Sequence, residues 1–110
     1  MTIAYLTSER TLRIVTLTFT GRLDAVSSRA MRVAFTAAVE QGCDELVADL
    51  SDVYFLDSAA LAALVSAMKA MATQGGSFRI VPPTSGEAMR IFQLTRFDHV
   101  FGIAPNSTGR

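Results

Sequence analysis

The pair Asp57-Ser58 places a carboxylate and a hydroxyl where a predicted loop leads into a long, alanine-rich helix. A serine hydroxyl becomes a nucleophile only when a neighbouring base accepts its proton. The chain has one histidine, His99, in a C-terminal segment, and no Ser-His-acid arrangement is predicted. The local sequence favours a structural role for Ser58, as the N-cap or as a filler of the first helical turn. The alternative is that the hydroxyl acts as a switch and not as a catalyst.

Other patterns that would carry chemistry are incomplete. Asp49, Asp52 and Asp57 do not have the spacing of an established metal-ligand set. The pair Gly75-Gly76 predicts the end of a helix rather than a phosphate-binding loop, because no Gly-Lys-Ser/Thr follows it. We therefore expect no enzymatic activity, no metal and no cofactor.

Length and composition indicate one domain. The chain has 110 residues, half of them apolar, with ten basic and ten acidic side chains. Residues 1–110 can therefore form one core, and no polyanionic partner such as nucleic acid is indicated. The single cysteine, Cys43, is predicted to be inert and is typical of a reducing compartment. No stretch approaches the roughly 18 apolar residues of a membrane span, so we expect a cytoplasmic protein without membrane insertion, with a mobile tail over about residues 104–110.

The N-terminal half predicts an opening antiparallel hairpin followed by a helix. Ile3–Leu6 is a short strand candidate, and Leu12–Thr20 alternates apolar and polar residues with period two until Gly21 ends it. Asp24 is a predicted N-cap for a helix over Ala25–Gln41. The stripe expected to face the core consists of Val26, Ala30, Val33, Ala34 and Ala37, widened by Met31, Phe35 and Val39.

The middle of the chain predicts a buried strand, a short acidic loop and a second helix. Glu45–Leu50 is nearly continuous in apolar residues, which is typical of a strand covered on both faces. The loop over Asp52–Leu56 is expected to direct Val53 and Phe55 inward. The helix spans about Ser58–Thr73. Its predicted buried stripe is Leu61, Leu64, Val65, Met68 and Met71, and its other face is Ala59, Ala62, Ala63, Ser66, Lys69 and Ala70.

The C-terminal part predicts a strand over Phe78–Val81 and a helix over Ser85–Leu94, opened by a capping box from Thr84 to Glu87. A final short strand or turn is expected from four apolar residues, Phe97, Val100, Phe101 and Ile103. The predicted order is β-β-α-β-α-β-α-(β). Because strands joined by helices run parallel, the fold is a small α/β domain with a mixed sheet covered by helices.

Four segments together resemble the STAS domain, in particular that of the bacterial anti-sigma-factor antagonists, or anti-anti-sigma factors. The longest, VADLSDVYFLDSAALAALVSA over residues 47–67, is similar to the family's strand, loop and Asp-Ser helix start. The others are TGRLD over residues 20–24, GGSFRIVPP over residues 75–83 and IFQLTRFDHVF over residues 91–101. The resemblance covers nearly the whole chain and implies a single STAS-like domain.

The resemblance also implies a function and a role for Ser58. In the family, a serine at this position is phosphorylated by an anti-sigma factor that is also a serine-protein kinase and that binds the ATP. The unphosphorylated antagonist binds this partner and frees a sigma factor, so that transcription is regulated. The phosphorylated form is released until a phosphatase resets it. We expect the chain to act as a monomer or weak homodimer.

A partner-binding surface is expected around the same helix. Its members are Asp24, Asp57, Ser58, Ala59, Ala62, Ala63 and Ser66. Small side chains would let a partner helix lie flat on it, although alanine is also simply the best helix former. Asp24 is either a helix cap or, as the resemblance implies, a functional neighbour of Ser58.

The chain departs from the family pattern at three positions. Ala59 stands in place of a serine or threonine, Ala60 in place of a glycine, and Arg96 in place of a glycine after the last helix. The alternative function is that of a STAS accessory subunit or module of a membrane transporter, for example an ABC-type lipid transport system, which acts by protein contact without phosphorylation.

Overall fold

The computed structural model describes residues 3–7 and 12–102, with residues 4–7 described by their backbone alone. Ile103 and the predicted mobile tail lie outside this part of the chain. The elements, in order, are β1 (Ala4–Thr7), β2 (Ile14–Leu23), α1 (Ala25–Glu40), β3 (Glu45–Leu56), α2 (Ser58–Thr73), β4 (Ser77–Val81), α3 (Gly86–Leu94) and α4 (Phe97–Val100).

The four strands form one sheet in the order β1-β2-β3-β4. β1 lies antiparallel to β2, with Ala4 opposite Thr18, whereas β2, β3 and β4 are parallel. Parallel strands require a crossover connection, and α1 and α2 supply the two crossovers. Because the carboxyl ends of β2 and β3 lie side by side, α1 and α2 begin at the same edge of the sheet.

One face of the sheet carries the core. Val15, Leu46 and Phe78 occupy equivalent positions on three neighbouring strands, and they pack in one cluster with the buried side chains of the helices. The opposite face presents Thr16 and Thr18, which are partly exposed. The predicted covering of β3 on both faces is seen only locally, where three consecutive residues, Leu46, Val47 and Ala48, are all buried.

α1 buries only part of the predicted stripe, including Met31 and Phe35. Its buried residues are Ser28, Met31, Phe35 and Ala38, with Ala34 and Val39 partly buried against the core. The predicted stripe was wrong at four positions, since Val26, Ala30, Val33 and Ala37 are all exposed. Both sets have helical spacing, so hydropathy alone did not decide between them. The large side chains of Met31 and Phe35 fill the space above the sheet.

α2 begins and ends at the predicted residues. Leu61, Leu64 and Met71 are buried as predicted, but Val65 and Met68 are only partly buried. Three alanines, Ala60, Ala63 and Ala67, are buried in their place. Small side chains at these positions let the backbone of α2 approach its neighbours closely, because α2 packs against α1 as well as against β3 and β4.

β2 and β3 both extend beyond the predicted ends. β3 continues as a strand through the predicted acidic loop to Leu56, and its pairing with β2 runs to Leu23 opposite Leu56. Gly21 does not end β2. It lies inside the strand with a φ of 85°, where the register of the two strands shifts, and this left-handed conformation is one that glycine adopts without steric cost. Val53 is buried as predicted, whereas Phe55 is only partly buried.

The turn from α2 to β4 depends on both of its glycines. Gly75 has a φ of 81°, the usual conformation of the residue that follows a helix. At Gly76 a Cβ atom would lie 2.9 Å from the carbonyl oxygen of Asp44. The next residue, Ser77, donates its N–H to that same carbonyl, so the close approach positions β4 against β3.

The last part of the described chain is helical rather than a strand. α3 is capped by Ser85, whose Oγ accepts from the N–H of Ala88, so the cap lies one residue after the predicted Thr84. The optional final strand was wrong over residues 97–102, because α4 and a turn occupy them. Its aromatic residues extend a row of ring contacts, with centroids 5.5–6.2 Å apart, that runs from Phe19 through Phe35 and Phe78 to Phe101. The rings of Phe92 and Phe97 both contact Phe101.

Arg96 connects α3 to α4 with a φ of 63°, in the left-handed region. A side chain in this region costs about 1–2 kcal/mol, and glycine avoids the cost. Part of the gain from glycine is lost to its larger unfolded-state entropy. We expect Arg96→Gly to raise the free energy of unfolding by about 0.5–1 kcal/mol, which corresponds to an increase in Tm of about 2–6 °C in a thermal unfolding experiment.

Arg90→Gly is the matched control, because Arg90 is exposed in the interior of α3. This change should lower the free energy of unfolding by about 1 kcal/mol. A Tm for Arg96→Gly that equals or falls below that of the unsubstituted chain would contradict the left-handed strain.

Candidate functional site

The candidate site is the corner where β2 and β3 end and α1 and α2 begin. Leu23 and Leu56 are paired at the ends of the two strands. The N–H of Asp57 donates to the carbonyl of Leu23 at 3.1 Å. Asp24 follows Leu23 directly, so the N-cap residues of both helices are held next to each other by backbone hydrogen bonding.

Asp24 is the N-cap of α1, as predicted. Its Oδ1 accepts from the N–H groups of Val26 and Ser27, both at 3.1 Å, and from the Ser27 hydroxyl at 3.3 Å. These bonds, the one from the Ser27 backbone above all, lower the pKa of Asp24 and outweigh a smaller opposing effect of desolvation. The carboxylate is therefore ionised at neutral pH and completes the first turn of α1.

Asp57 caps α2 in the same way. Its Oδ1 accepts from the N–H of Ala60 at 3.0 Å, and its own carbonyl accepts from the N–H of Leu61. Since Asp57 fills the cap position, Ser58 is the first residue of the helix and not its cap. Its side chain is exposed, and no described residue hydrogen-bonds its hydroxyl. The geometry leaves this hydroxyl accessible to a second protein.

Three of the other predicted contact residues lie on the exposed part of α2 beyond this corner: Ala59, Ala62 and Ser66. Ala62 and Ser66 are exposed, and with Ser58 they form a ridge at spacing i, i+4, i+8. Ala59 is partly buried. The prediction of Ala63 as a contact residue was wrong, because Ala63 is only 1% exposed and lies where α1 packs against α2. It shapes the helix pair and does not belong to the free surface.

A groove of about 340 Å³ lies between α1 and α2. Small residues on α2, Ala63, Ala67 and Ala70, leave this space open opposite Phe35 and Val39. At its rim, Nη1 of Arg32 lies 3.4 Å from Oγ of Ser66. The sequence did not reveal this groove, because it requires the packing of two helices that are distant in the chain.

Arg22 is a neighbour of the site to which the sequence assigned no role. Its guanidinium lies 4.3 Å from the centre of the Phe55 ring, close to the start of α2. This cation–π contact explains why Phe55 is covered without entering the core. The signal available in the sequence was the TGRLD segment, in which Arg22 stands two residues before Asp24.

Within residues 3–7 and 12–102, no group of three or more histidine, cysteine, aspartate or glutamate side chains could hold a metal. Asp49 instead accepts from the N–H of Ser51 at 3.0 Å. Burial raises the pKa of the Cys43 thiol, so the reactive thiolate is disfavoured. No helix in this part of the chain is long and apolar enough to cross a membrane.

Comparison with known proteins agrees with the resemblance inferred from the sequence. Residues 5–108 match the family model of the STAS domain. No curated protein matches the chain at a significant level.

Solved structures with the same fold include an anti-sigma factor antagonist from Mycobacterium paratuberculosis. It is 27% identical with a TM-score of 0.76, and the match covers 94% of this chain and 86% of that one. SpoIIAA in its unphosphorylated form matches with 20% identity and a TM-score of 0.62, over 91% of this chain and 100% of that one. The Bacillus cell fate determinant SpoIIAA in its phosphorylated form matches with 19% identity and a TM-score of 0.62, over 84% and 83%. From the family match over residues 5–108 and these shared folds, we conclude that the chain belongs to the STAS domain family.

Proposed function

We propose that this protein is an anti-sigma-factor antagonist that binds an anti-sigma factor with serine-kinase activity and is released when Ser58 is phosphorylated. The observation that carries the proposal is the exposed Ser58 hydroxyl in the first turn of α2. The similarity to an anti-sigma factor antagonist across 94% of the chain supports it. In this proposal the partner supplies ATP and the catalytic base, and a phosphatase restores the binding form.

The corner of the fold can accept a phosphate without local unfolding. Helix N-termini favour anions through free N–H groups and the helix dipole, at about 0.3–1 kcal/mol for an exposed site. A phosphate on Ser58 would add about −1.5 to −2 charges at neutral pH. It would stand beside the carboxylate of Asp57 and near the start of α1, where Asp24 is ionised. The added charge therefore acts mainly on a docked protein, which loses its fit while the domain stays folded.

The proposed contact surface is the exposed part of the corner and of the α2 ridge. It comprises Asp24, Asp57, Ser58, Ala59, Ala62 and Ser66, all of which are at least partly exposed. Ala63 supports this surface from below and is not a contact residue. The absence of large side chains on the ridge allows a partner backbone to approach α2 closely.

The alanine at position 60 changes how the phosphate acceptor is presented. Ala60 is fully buried, and its N–H is bonded to Asp57. Its side chain packs in the core, so the first turn of α2 is held more firmly than a glycine at this position would hold it. We infer that the kinase meets Ser58 on a helical turn whose backbone is already fixed.

The first prediction from this proposed function is that the cognate kinase with ATP adds one phosphate to the protein and that Ser58→Ala abolishes the addition. Intact-mass spectrometry measures this directly. Ser77→Ala is the matched control, because Ser77 is an exposed serine at the start of β4, outside the proposed contact surface, and it should leave the single phosphate in place. A phosphate that persists in Ser58→Ala would show that the acceptor lies elsewhere and would contradict the proposal.

The second prediction concerns release. Ser58→Glu adds one negative charge at the corner and should weaken binding to the unmodified kinase at least tenfold, whereas Ser58→Ala should bind within about threefold of the unsubstituted protein. Isothermal titration calorimetry gives the two dissociation constants. If Ser58→Glu binds its partner unchanged, the result would favour the alternative of a transporter-associated STAS module, in which Ser58 is an ordinary surface residue.

The third prediction separates the two roles of Asp24. Asparagine is as good an N-cap as aspartate, so Asp24→Asn should fold normally at pH 7 and weaken partner binding only if the charge itself is a contact. The pKa of Asp24 is lowered in the folded protein. Its charge therefore stabilises the fold above the unfolded-state pKa of about 3.9, and this contribution is lost as the pH falls through the lower, folded-state value.

Urea unfolding at pH 6 and at pH 2.5 measures the charge-dependent part of this cap. The midpoint should fall more on acidification in the unsubstituted protein than in Asp24→Asn. Equal shifts in the two proteins would show that the charge of Asp24 does not stabilise α1.

A further inference from the structure

The outward side of α1 is an apolar surface that the fold leaves uncovered. Val26, Ala30, Val33 and Ala37 follow one another at spacing i, i+4, i+7, i+11 and are exposed, with Val26 81% and Val33 71% accessible. They lie on the side of the helix opposite Met31, Phe35 and Ala38. We name these four residues, together with Arg29 and Arg32, the outer α1 surface.

The charges beside the first two turns of this stripe are positive, and no described carboxylate pairs with them. Arg29 and Arg32 are both exposed, and the one salt bridge found among the described residues joins Arg79 to Glu45, elsewhere on the molecule. The side chain of Arg32 contacts the neutral hydroxyl of Ser66. Glu40 is the single acidic side chain within α1 and lies two turns beyond Arg32. A partner suited to this surface has apolar side chains flanked by carboxylates.

The shape of the outer α1 surface suits a helix of a partner protein. Arg32, Thr36 and Glu40 form a wall with the α1–α2 groove on one side. The same three side chains, together with Val33 and Ala37, line a shallow depression of about 370 Å³ on the surface of α1. An exposed apolar stripe with a depression on it and a groove beside it is the kind of surface that the apolar face of an amphipathic helix covers.

The outer α1 surface is continuous with the proposed contact site. Its first residue, Val26, donates its N–H to the cap carboxylate of Asp24, which stands beside the first turn of α2. A single protein can therefore touch Ser58 and the outer α1 surface at the same time. The cations of this surface would still attract the partner when a phosphate on Ser58 repels it.

We propose that the outer α1 surface is the second half of the interface with the anti-sigma factor and that it takes an amphipathic helix of that partner, with carboxylates facing Arg29 and Arg32. This inference rests on the proposed function and adds to it the position and chemistry of a contact remote from the phosphorylation site. Affinity then depends on two regions, of which only the corner is switched.

The test uses the full chain and its cognate anti-sigma factor in isothermal titration calorimetry. Val33→Glu keeps a good helix former but places a charge in the stripe, and it should raise the Kd at least tenfold. Arg29→Glu combined with Arg32→Glu should raise the Kd at least tenfold and make binding less sensitive to salt. Leu94→Glu is the matched control, because Leu94 is 73% exposed on α3, and it should change the Kd less than twofold. Circular dichroism should show that all variants are folded.

The outcomes separate the inference from the proposed function. Normal binding by Val33→Glu and by the double arginine variant, with binding lost in Ser58→Glu, would overturn the inference and leave the proposed function in place. An unsubstituted protein that binds no anti-sigma factor would overturn both. Sedimentation equilibrium tests the remaining occupant, a second copy of this chain. A dimer that Val33→Glu dissociates would assign the surface to self-association and would also overturn the inference.

Discussion

The structure depends on the parallel pairing of β2 and β3 up to their last residues. This pairing places Leu23 opposite Leu56 and lets the N–H of Asp57 bond to the carbonyl of Leu23. Because each strand leads directly into a helix, two helix N-termini meet at one edge of the sheet. Two aspartates, 33 positions apart in the sequence, thereby become neighbouring caps, and Ser58 stands exposed beside them.

The packing of α2 on the sheet and on α1 accounts for its many alanines. A helix that packs on the sheet and on a neighbouring helix has little room for large side chains on the shared side. Ala60, Ala63 and Ala67 are buried there, while Leu61, Leu64 and Met71 supply the apolar bulk of the core. Alanine therefore appears in α2 both for close packing on its inner side and as a small helix former on its outer ridge. The two uses are indistinguishable in a list of residues.

The proposed switch separates the stability of the domain from its affinity for a partner. The caps of α1 and α2 use carboxylates that are already part of the fold, and the Ser58 hydroxyl makes no hydrogen bond with a described residue that modification would break. A phosphate at this position meets a favourable helix terminus and unfavourable neighbouring charges. These opposing effects are modest for the folded domain in water, but repulsion becomes costly when a partner excludes water from the corner.

The sequence by itself determined the type and order of the helices and parallel strands from β2 to α3, because hydrophobic periodicity, caps and glycine stops are local properties. It gave α2 its bounds from Ser58 to Thr73, the cap Asp24 and the exposed position of Ser58. It also carried the STAS resemblance, since the four segments that define it are contiguous in the chain. The sequence did not show which elements pack against each helix.

Tertiary structure decided which apolar residues are buried. α1 carries two stripes of helical spacing, and only the direction of the sheet selects Met31 and Phe35 over Val26 and Val33. β3 continues to Leu56 because β2 beside it supplies hydrogen-bond partners, so a segment that looks like an acidic loop becomes a strand. Ala63 is removed from the surface for a similar reason, since α1 lies against it. Burial depends on packing between segments that are distant in the sequence, so a local hydropathy pattern cannot determine it.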